Sequence, residues 1–316
     1  MKDSINNAEM KTHLVSIIIS THNKKDELLL TLLDLYEKTF GNFEIIVVSA
    51  SSNDGTDDIV TLKYPNVRLL IAPDIGWGEA NNLGTTVANG DIFFFCGADM
   101  RFEYGWLIDT LSKMCELHDC GAFGTLVVRV SGDGSRKLTG VSELSLGKII
   151  HYPWNYDLSY LNNLRASRGV VAVVDNVYYP FIFRDVFKEV GGFDPTYFYL
   201  GDDTDLGCKI VSMGYKNYIY LKPNMYTEET KKSDKALIFW YRNRIKLIIK
   251  WNPLILVPIF LSYPIIKTIF ASFFLFLSGR RIVAKSLLST LKWNFQNFNF
   301  TRRSRQLNFI EDNKPN

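Results

Sequence analysis

In this chain of 316 residues, the side chains suited to chemistry collect directly after apolar runs. Ser20-Thr21-His22-Asn23 follows the run from Val15, and Ser49-Ala50-Ser51-Ser52-Asn53-Asp54 follows the run from Phe43 to Val48. Pro73-Asp74 follows Val67–Ala72, and Asp99 follows Asp91–Cys96 across Gly97-Ala98. A second concentration is Asp202-Asp203-Thr204-Asp205, three carboxylates in four positions between an aromatic run and a segment ending near Gly214. Carboxylates crowded in this way are costly unless solvated, used as helix caps or put to work. There is no G-x-G-x-x-G after the first run and no G-x-x-x-x-G-K-[ST] anywhere, which disfavours a dinucleotide cofactor and a P-loop NTPase. Cys96, Cys115, Cys120 and Cys208 show neither a C-x-x-C pair nor a His at zinc-ligand spacing, so reduced thiols in a cytosolic setting are expected.

The elements that must position these residues can be read from periodicity. Val15 to Ser20 is a nearly continuous β-branched run, expected for a strand buried on both faces. Leu28, Leu29, Leu32, Leu33 and Tyr36 recur at helical spacing behind it. Phe43–Val48, Val67–Ala72 and Asp91–Cys96 read as three further strands, with a helix opening at Asp54–Asp58 and another over Gly76–Ala88. Ala122–Val130 and Val170–Phe183 read as later strands, the first ending in the loop signal Ser131-Gly132-Asp133-Gly134-Ser135. Strands alternating with helices imply an α/β fold, a mostly parallel sheet with helices on both faces. In open α/β sheets ligands bind beyond the carboxyl ends of the strands, which is where the polar clusters fall.

The order of the motifs resembles the inverting family 2 glycosyltransferases of the GT-A fold, over Leu14 to Arg305. Five blocks carry the resemblance: Val15–Asn23; Val47–Thr56; Gly76-Trp77-Gly78-Glu79-Ala80-Asn81-Asn82-Leu83-Gly84; Gly90-Asp91 through Asp99; and Gly191-Gly192-Phe193-Asp194 with Asp202-Asp203-Thr204-Asp205-Leu206. A sixth, Tyr241-Arg242-Asn243-Arg244, is similar to the family's membrane-proximal segment. Rhamnosyltransferase-like members share the Gly76–Gly84 type of block, so a deoxysugar is one donor to consider.

The resemblance implies a nucleotide-sugar donor whose diphosphate must be neutralised as the glycosidic bond breaks, work suited to a carboxylate-held Mg²⁺ or Mn²⁺. Asp99 stands where the family places the last acid of its metal motif, and the earlier acid is absent from Gly97-Ala98-Asp99. Inversion needs one base for the acceptor hydroxyl. The family's acidic pair falls on Asp202-Asp203, which makes Asp203 the base and Asp202 its orienting partner; the alternative for Asp202, Asp203 and Asp205 is helix capping. His22 matches a position that packs on the nucleobase. Ser20 is a candidate for donor contacts, Asn23, Asn81 and Asn82 for donor contacts or for turns, and Asp54 for the nucleotide or for starting its helix. Two departures stand out. Ser49 occupies the place of an Asp that reads uracil or thymine, and the stretch from Pro223 to Thr230 has no His where many members place a metal-proximal imidazole, so that Tyr226, Thr227, Glu228 or Glu229 substitutes or the role is vacant.

The charge balance divides the chain. Residues 1–230 hold 20 basic and 30 acidic side chains, a balance of −10, whereas 231–316 hold 16 and 3, a balance of +13. Residues 1–13 are polar and lack the apolar core of a secretory signal, 14–230 form the expected GT-A domain, and 231–316 a basic, apolar membrane-associated region. Within it, Ile255–Leu277 could span a bilayer of ~30 Å, but Pro258, Pro264 and Lys267 favour an interfacial helix. Cations interleaved with aromatics from Arg280 to Arg303 suit lipid headgroups, and no nucleic acid is expected. The combined expectation is a metal-dependent transferase held to the cytoplasmic face of a membrane through residues 240–305, moving a sugar from a nucleotide-sugar donor to a hydroxyl of a lipid-linked or cell-surface glycan. A polyprenyl-phosphate sugar synthase and a catalytically silent nucleotide-sugar-binding protein are the alternatives.

Overall fold

Hydrophobic alternation builds a sheet with two covered faces. The computed structural model describes residues 13–132, 135–139, 143–145, 148–150, 170–173, 178–228 and 233–310. In β1 (Val15–Thr21) every residue is buried. Its Ile17 and Ile19 join Val47, Phe94 and Trp106 in one core. Ile18 joins Ile46, Val48, Phe93 and Phe95 in the other. Sidedness of period two, with apolar residues on both sides, is what a strand between two helical layers requires.

The first half is doubly wound as the alternation predicts. β1, α1 (Lys25–Lys38), β2 (Phe43–Ala50), α2 (Thr56–Lys63), β3 (Arg68–Ala72), α3 (Trp77–Thr85) and β4 (Ile92–Gly97) follow in order. α1 carries Asp26 and Glu27 in its first turn and Lys38 in its last, in keeping with the helix dipole, and buries Leu28, Thr31, Leu32 and Leu35. The wing β3-β2-β1-β4 is wholly parallel. β5 (Met100–Phe102), α4 (Trp106–Met114), β6 (Cys120–Val130) and β7 (Arg136–Thr139) follow; β8 (Glu143–Ser145) and β9 (Lys148–Ile150) form a separate small sheet.

β10 (Val170–Val173) and β11 (Phe181–Phe183) replace the single run expected over 170–183. β11 lies antiparallel between β4 and β6, so the sheet turns mixed at that point. After α5 (Arg184–Glu189) and α6 (Asp202–Ser212), β12 (Lys216–Glu228) pairs parallel with β6 and antiparallel with β5 and β10. The full order is β10-β12-β6-β11-β4-β1-β2-β3.

Four helices complete the chain: α7 (Asp234–Trp251), α8 (Val257–Leu277), α9 (Arg281–Gln296) and α10 (Phe298–Ile310). Ser233 caps α7, its hydroxyl accepting from the Ala236 amide at 3.1 Å. Pro258 lies in the first turn of α8, where a missing N–H leaves no bond unmade, and Pro264 lies inside the helix. Ile245, Ile248, Ile249, Val257 and Leu261 form a core of their own between α7 and α8. Among the described residues α8 is the one helix long and apolar enough to cross a membrane. Its buried residues are Val257, Leu261, Pro264, Thr268 and Ser272, while Ile259, Tyr263, Ile266, Phe270, Phe274 and Leu277 stay exposed.

Candidate active site

The carboxyl edge of the parallel wing gathers most of the polar residues the sequence singles out. Thr21 and Ser49 are register partners on neighbouring strands, and Ser20 stands opposite Val48 and Gly97. The hydroxyls of Ser20, Thr21 and Ser49 are buried with no hydrogen-bond partner among the described residues. Buried polar atoms are ordinarily paired, so orphans at a sheet edge where ligands bind are acceptors and donors waiting for a partner. Thr21, the last residue of β1, has the same standing as its neighbours, and its place at the end of the apolar run is the signal for it in the sequence.

The β1–α1 turn forms the wall of this edge. Exposed His22 is fixed by its Nδ1, 2.5 Å from the carbonyl oxygen of Ala50, which sets the imidazole beside the end of β2. Asn23 takes a left-handed φ of 51°, and its Oδ1 accepts from the Asn53 amide at 2.7 Å. Asp54 starts its helix: Oδ1 accepts from the Thr56 amide at 3.1 Å, and Oδ2 accepts from the Lys25 amide at 2.9 Å. Burial pushes the Asp54 carboxyl up, but the bonds from Thr56 and Lys25 more than reverse it and leave it below the usual carboxylate range. Asp54 therefore joins the N-termini of α1 and α2.

Asp99 occupies the short link between β4 and β5. Its Oδ2 accepts from the Lys24 ammonium at 2.6 Å, a pair that spans 75 positions of sequence. Lys24 was not singled out by type or spacing, although it directly follows the Ser20–Asn23 cluster. Among the described residues no group of three or more His, Cys, Asp or Glu side chains could hold a metal by itself. One carboxylate still fits a divalent ion whose other ligands come from a diphosphate and water, a common arrangement for Mg²⁺. Of the candidates for the vacant imidazole position, Thr227 is buried and pairs with Met100 beside Asp99, while the Tyr226 hydroxyl donates to Glu103. Glu229 lies outside the described residues.

The acidic pair lies where the loop after Phe193 meets α3. Gly76 has φ +81°, and a Cβ there would come within 2.2 Å of the Phe198 carbonyl oxygen. Gly78 leaves room for Asp202, whose Oδ2 would be 3.0 Å from a Cβ at that position. Asn82, expected at the donor, is engaged elsewhere: it accepts from the Phe193 amide at 2.9 Å and donates to the Phe193 carbonyl at 2.9 Å. That two-sided grip holds the Gly191–Asp194 turn in place beside α3. Asn81 donates to the Trp77 carbonyl at 3.0 Å and leaves its buried Oδ1 without a partner among the described residues.

Gly76→Ala is expected to destabilise the protein by about 1–3 kcal/mol, because a left-handed backbone and a backbone clash act together. Chemical unfolding of the two proteins measures it, and an unchanged midpoint would mean the loop does not press on Gly76.

Adjacent acids in α6 have different surroundings. Asp202 is 3% exposed, with Oδ2 unpartnered among the described residues. Burial, then the neighbouring charges of Asp203 and Asp205, push its carboxyl up to about 8. Asp203 is half-buried and its Oδ1 accepts from the Thr204 amide at 2.7 Å. Asp205 is 0% exposed and is no cap. Its two oxygens accept from Lys250 at 2.8 and 2.9 Å, and Oδ1 also accepts from Trp251 Nε1 at 2.8 Å.

Lys250 also bridges to Asp194 at 2.9 Å, with Lys246 3.7 Å from Asp194 and Lys209 4.0 Å from Asp205. Burial raises the Asp194 carboxyl, and the ammonium groups of Lys250 and Lys246 overcome it, holding it well below the usual range. α7 is thereby tied to both acidic motifs. Asn243 adds donor bonds to the carbonyls of Tyr199 and Leu200, at 2.8 and 2.6 Å, just before the pair.

A parallel wing, a short acidic link between two strands and an acidic helix start over one edge define a GT-A-type fold. The structure of GalNAc-T7 with UDP, GalNAc and Mn²⁺ is similar with a TM-score of 0.58 and 16% identity, covering 76% of this chain and 48% of that one. *Staphylococcus aureus* TarS 1–349 in complex with UDP is similar with a TM-score of 0.50 and 18% identity, covering 74% and 64%. Residues 16–190 match the family described as "Glycosyl transferase family 2", and the chain belongs to it. A PGL/p-HBAD biosynthesis glycosyltransferase of *Mycobacterium tuberculosis* is 37% identical over 109 residues, 33% of this chain and 41% of that protein. The O-antigen biosynthesis protein RfbC of *Myxococcus xanthus* is 25% identical over 215 residues, 65% of this chain and 16% of that protein. The chain thus spans well under half the length of the curated relatives it matches.

Proposed function

We propose that this chain transfers a sugar, with inversion, from a nucleoside diphosphate sugar to a hydroxyl of a lipid-linked glycan at a membrane surface. The observation that carries this reading is the unequal setting of two adjacent acids at the start of α6: Asp202 is 3% exposed with its Oδ2 unpartnered among the described residues, whereas Asp203 is half-buried and its Oδ1 accepts from the Thr204 amide. Burial pushes the Asp202 carboxyl up, and two neighbouring carboxyl groups in unlike environments are the pattern of an acid–base pair. Asp203 takes the acceptor proton as the acceptor oxygen attacks the anomeric carbon. The bond to the diphosphate oxygen breaks on the opposite face, and the nucleoside diphosphate leaves. Asp202, neutral, orients the acceptor or Asp203 by a hydrogen bond. Ser20, Thr21, Ser49, His22 and Asn23 are assigned to the nucleoside end of the donor, on the support of the three unpartnered hydroxyls. A Mg²⁺ or Mn²⁺ held by Asp99 would neutralise charge on the leaving diphosphate, and Lys24 is placed to share that task.

A thermal-shift screen of nucleoside diphosphate sugars tests the reading, because a ligand at 100 times its dissociation constant adds about 2.7 kcal/mol to native stability. At least one donor is expected to raise the melting temperature, further with Mn²⁺. Asp99→Asn is expected to keep part of the donor effect and lose the Mn²⁺ increment. If no donor raises the melting temperature with or without Mn²⁺, the transferase reading fails.

A further inference from the structure

α7 and α8 each present an aromatic and a cation four residues apart: Trp240 and Arg244 on the first, Tyr263 and Lys267 on the second. Four residues is close to one helical turn, so each pair stands on one face. The faces meet. The Arg244 guanidinium lies 5.3 Å from the Trp240 ring centre and 5.6 Å from that of Tyr263, and the Lys267 ammonium lies 5.2 and 5.8 Å from the same two rings. Two cations therefore share one aromatic box.

No carboxylate among the described residues pairs with it. Residues 233–310 contain a single acid, Asp234, and that acid pairs with Arg280. Among the described residues Arg244 and Lys267 have no ion pair, and the Arg244 Nε is buried without a hydrogen-bond partner. Ring faces hold cations in place without using up their N–H donors. A guanidinium fork and an ammonium left in that state match the oxygens of a phosphate.

The surroundings specify what carries the phosphate. Tyr263 is 58% exposed and continues into Ile266, Phe270, Phe274 and Leu277, an exposed apolar stripe along α8. On the other side, Asn243, next to Arg244, holds the carbonyls of Tyr199 and Leu200 that lead to Asp202. An anion site with an apolar track on one flank and the acidic pair's loop on the other fits a phosphate esterified to a long hydrocarbon chain.

We propose that Trp240, Arg244, Tyr263 and Lys267 bind the phosphate of the lipid-linked acceptor, with its hydrocarbon along the α8 stripe. This rests on the transferase reading above and adds the residues that seat its acceptor. The test is flotation of the full chain with three kinds of vesicle. One is neutral phosphatidylcholine, one is phosphatidylcholine with a small fraction of polyprenyl diphosphate, and one carries phosphatidylglycerol at equal charge.

The wild type is expected to bind the polyprenyl diphosphate vesicles about 10–30-fold more tightly than neutral ones, and more tightly than the phosphatidylglycerol vesicles. The double variant Arg244→Met/Lys267→Met is expected to bind all three alike, at the neutral level. Lys267→Met alone, on the exposed side of the box, serves if the double variant does not fold, and is expected to lose several-fold of the preference. Equal binding to both anionic vesicles would identify a general headgroup contact and overturn the proposal, as would an intact preference in the variants. Soluble pyrophosphate in excess is expected to compete the preference away, because it fills the same box, and a preference that survives it would likewise overturn the proposal. Donor-induced thermal shifts, read on the same samples, separate failure of this site from failure of the transferase reading.

Discussion

Asp203→Asn is expected to lower sugar transfer about 10²–10⁴-fold, the usual contribution of a positioned general base, with little change in donor affinity. Asp202→Asn is expected to keep most of the activity. The reason is electrostatic: burial and the charges of Asp203 and Asp205 push the Asp202 carboxyl up to about 8, so near neutral pH its protonated form is favoured. An amide of the same shape reproduces a neutral acid but cannot replace a base. Reversed sensitivities would exchange the two roles, and equal tolerance of both changes would remove the pair from the mechanism.

Asp202 also has a stability signature with a defined sign. An acid whose proton affinity rises on folding keeps its proton in the native state while the unfolded chain releases it. Stability is therefore present below the ordinary value of 3.8 and is lost as pH rises towards about 8. Asp202→Asn is expected to remove that slope and to raise the unfolding midpoint near pH 8, measured by denaturant titration across the range.

The largest expected stability loss follows Asp205→Asn, about 3–5 kcal/mol by chemical unfolding, because it leaves buried ammonium groups short of a counter-charge. Lys209, Lys246 and Lys250 are 5%, 1% and 1% exposed, and only Asp194 would remain to serve them. Lys250→Met should cost less, since Lys246 and Lys209 still stand 3.7 and 4.0 Å from Asp194 and Asp205. A loss under about 1 kcal/mol for Asp205→Asn would mean that water relieves the cluster and that α7 is not clamped to α6 by charge.

The two acidic neighbours show how far the sequence could be read. Asp202, Asp203 and Asp205 are equivalent as text, three acids at a helix start. At roughly 100° of helical rotation per residue, one turns towards Gly78, one stays half-buried at the helix start, and one enters a buried lysine cluster. Their order was visible and their surroundings were not. Lys24 and Asp99 likewise become partners only because β1 and β4 are adjacent strands. Asn82 and Asp54 also bond to the backbone of Phe193 and Lys25, partners distant in sequence that their residue types could not reveal.

The sequence by itself determined the four strands of the parallel wing, the α/β class and the edge on which polar side chains collect, because burial pattern and strand period are local properties of a chain. It also determined the division into an acidic body and a basic, apolar C-terminal region, since charge is additive. Only the tertiary structure decided which polar groups are free to meet a ligand, because a hydrogen bond or ion pair is completed by whatever residue the fold brings within about 3 Å. The same reason governs the aromatic box of α7 and α8: each helix supplies half of it, and neither half binds a phosphate until the two faces meet.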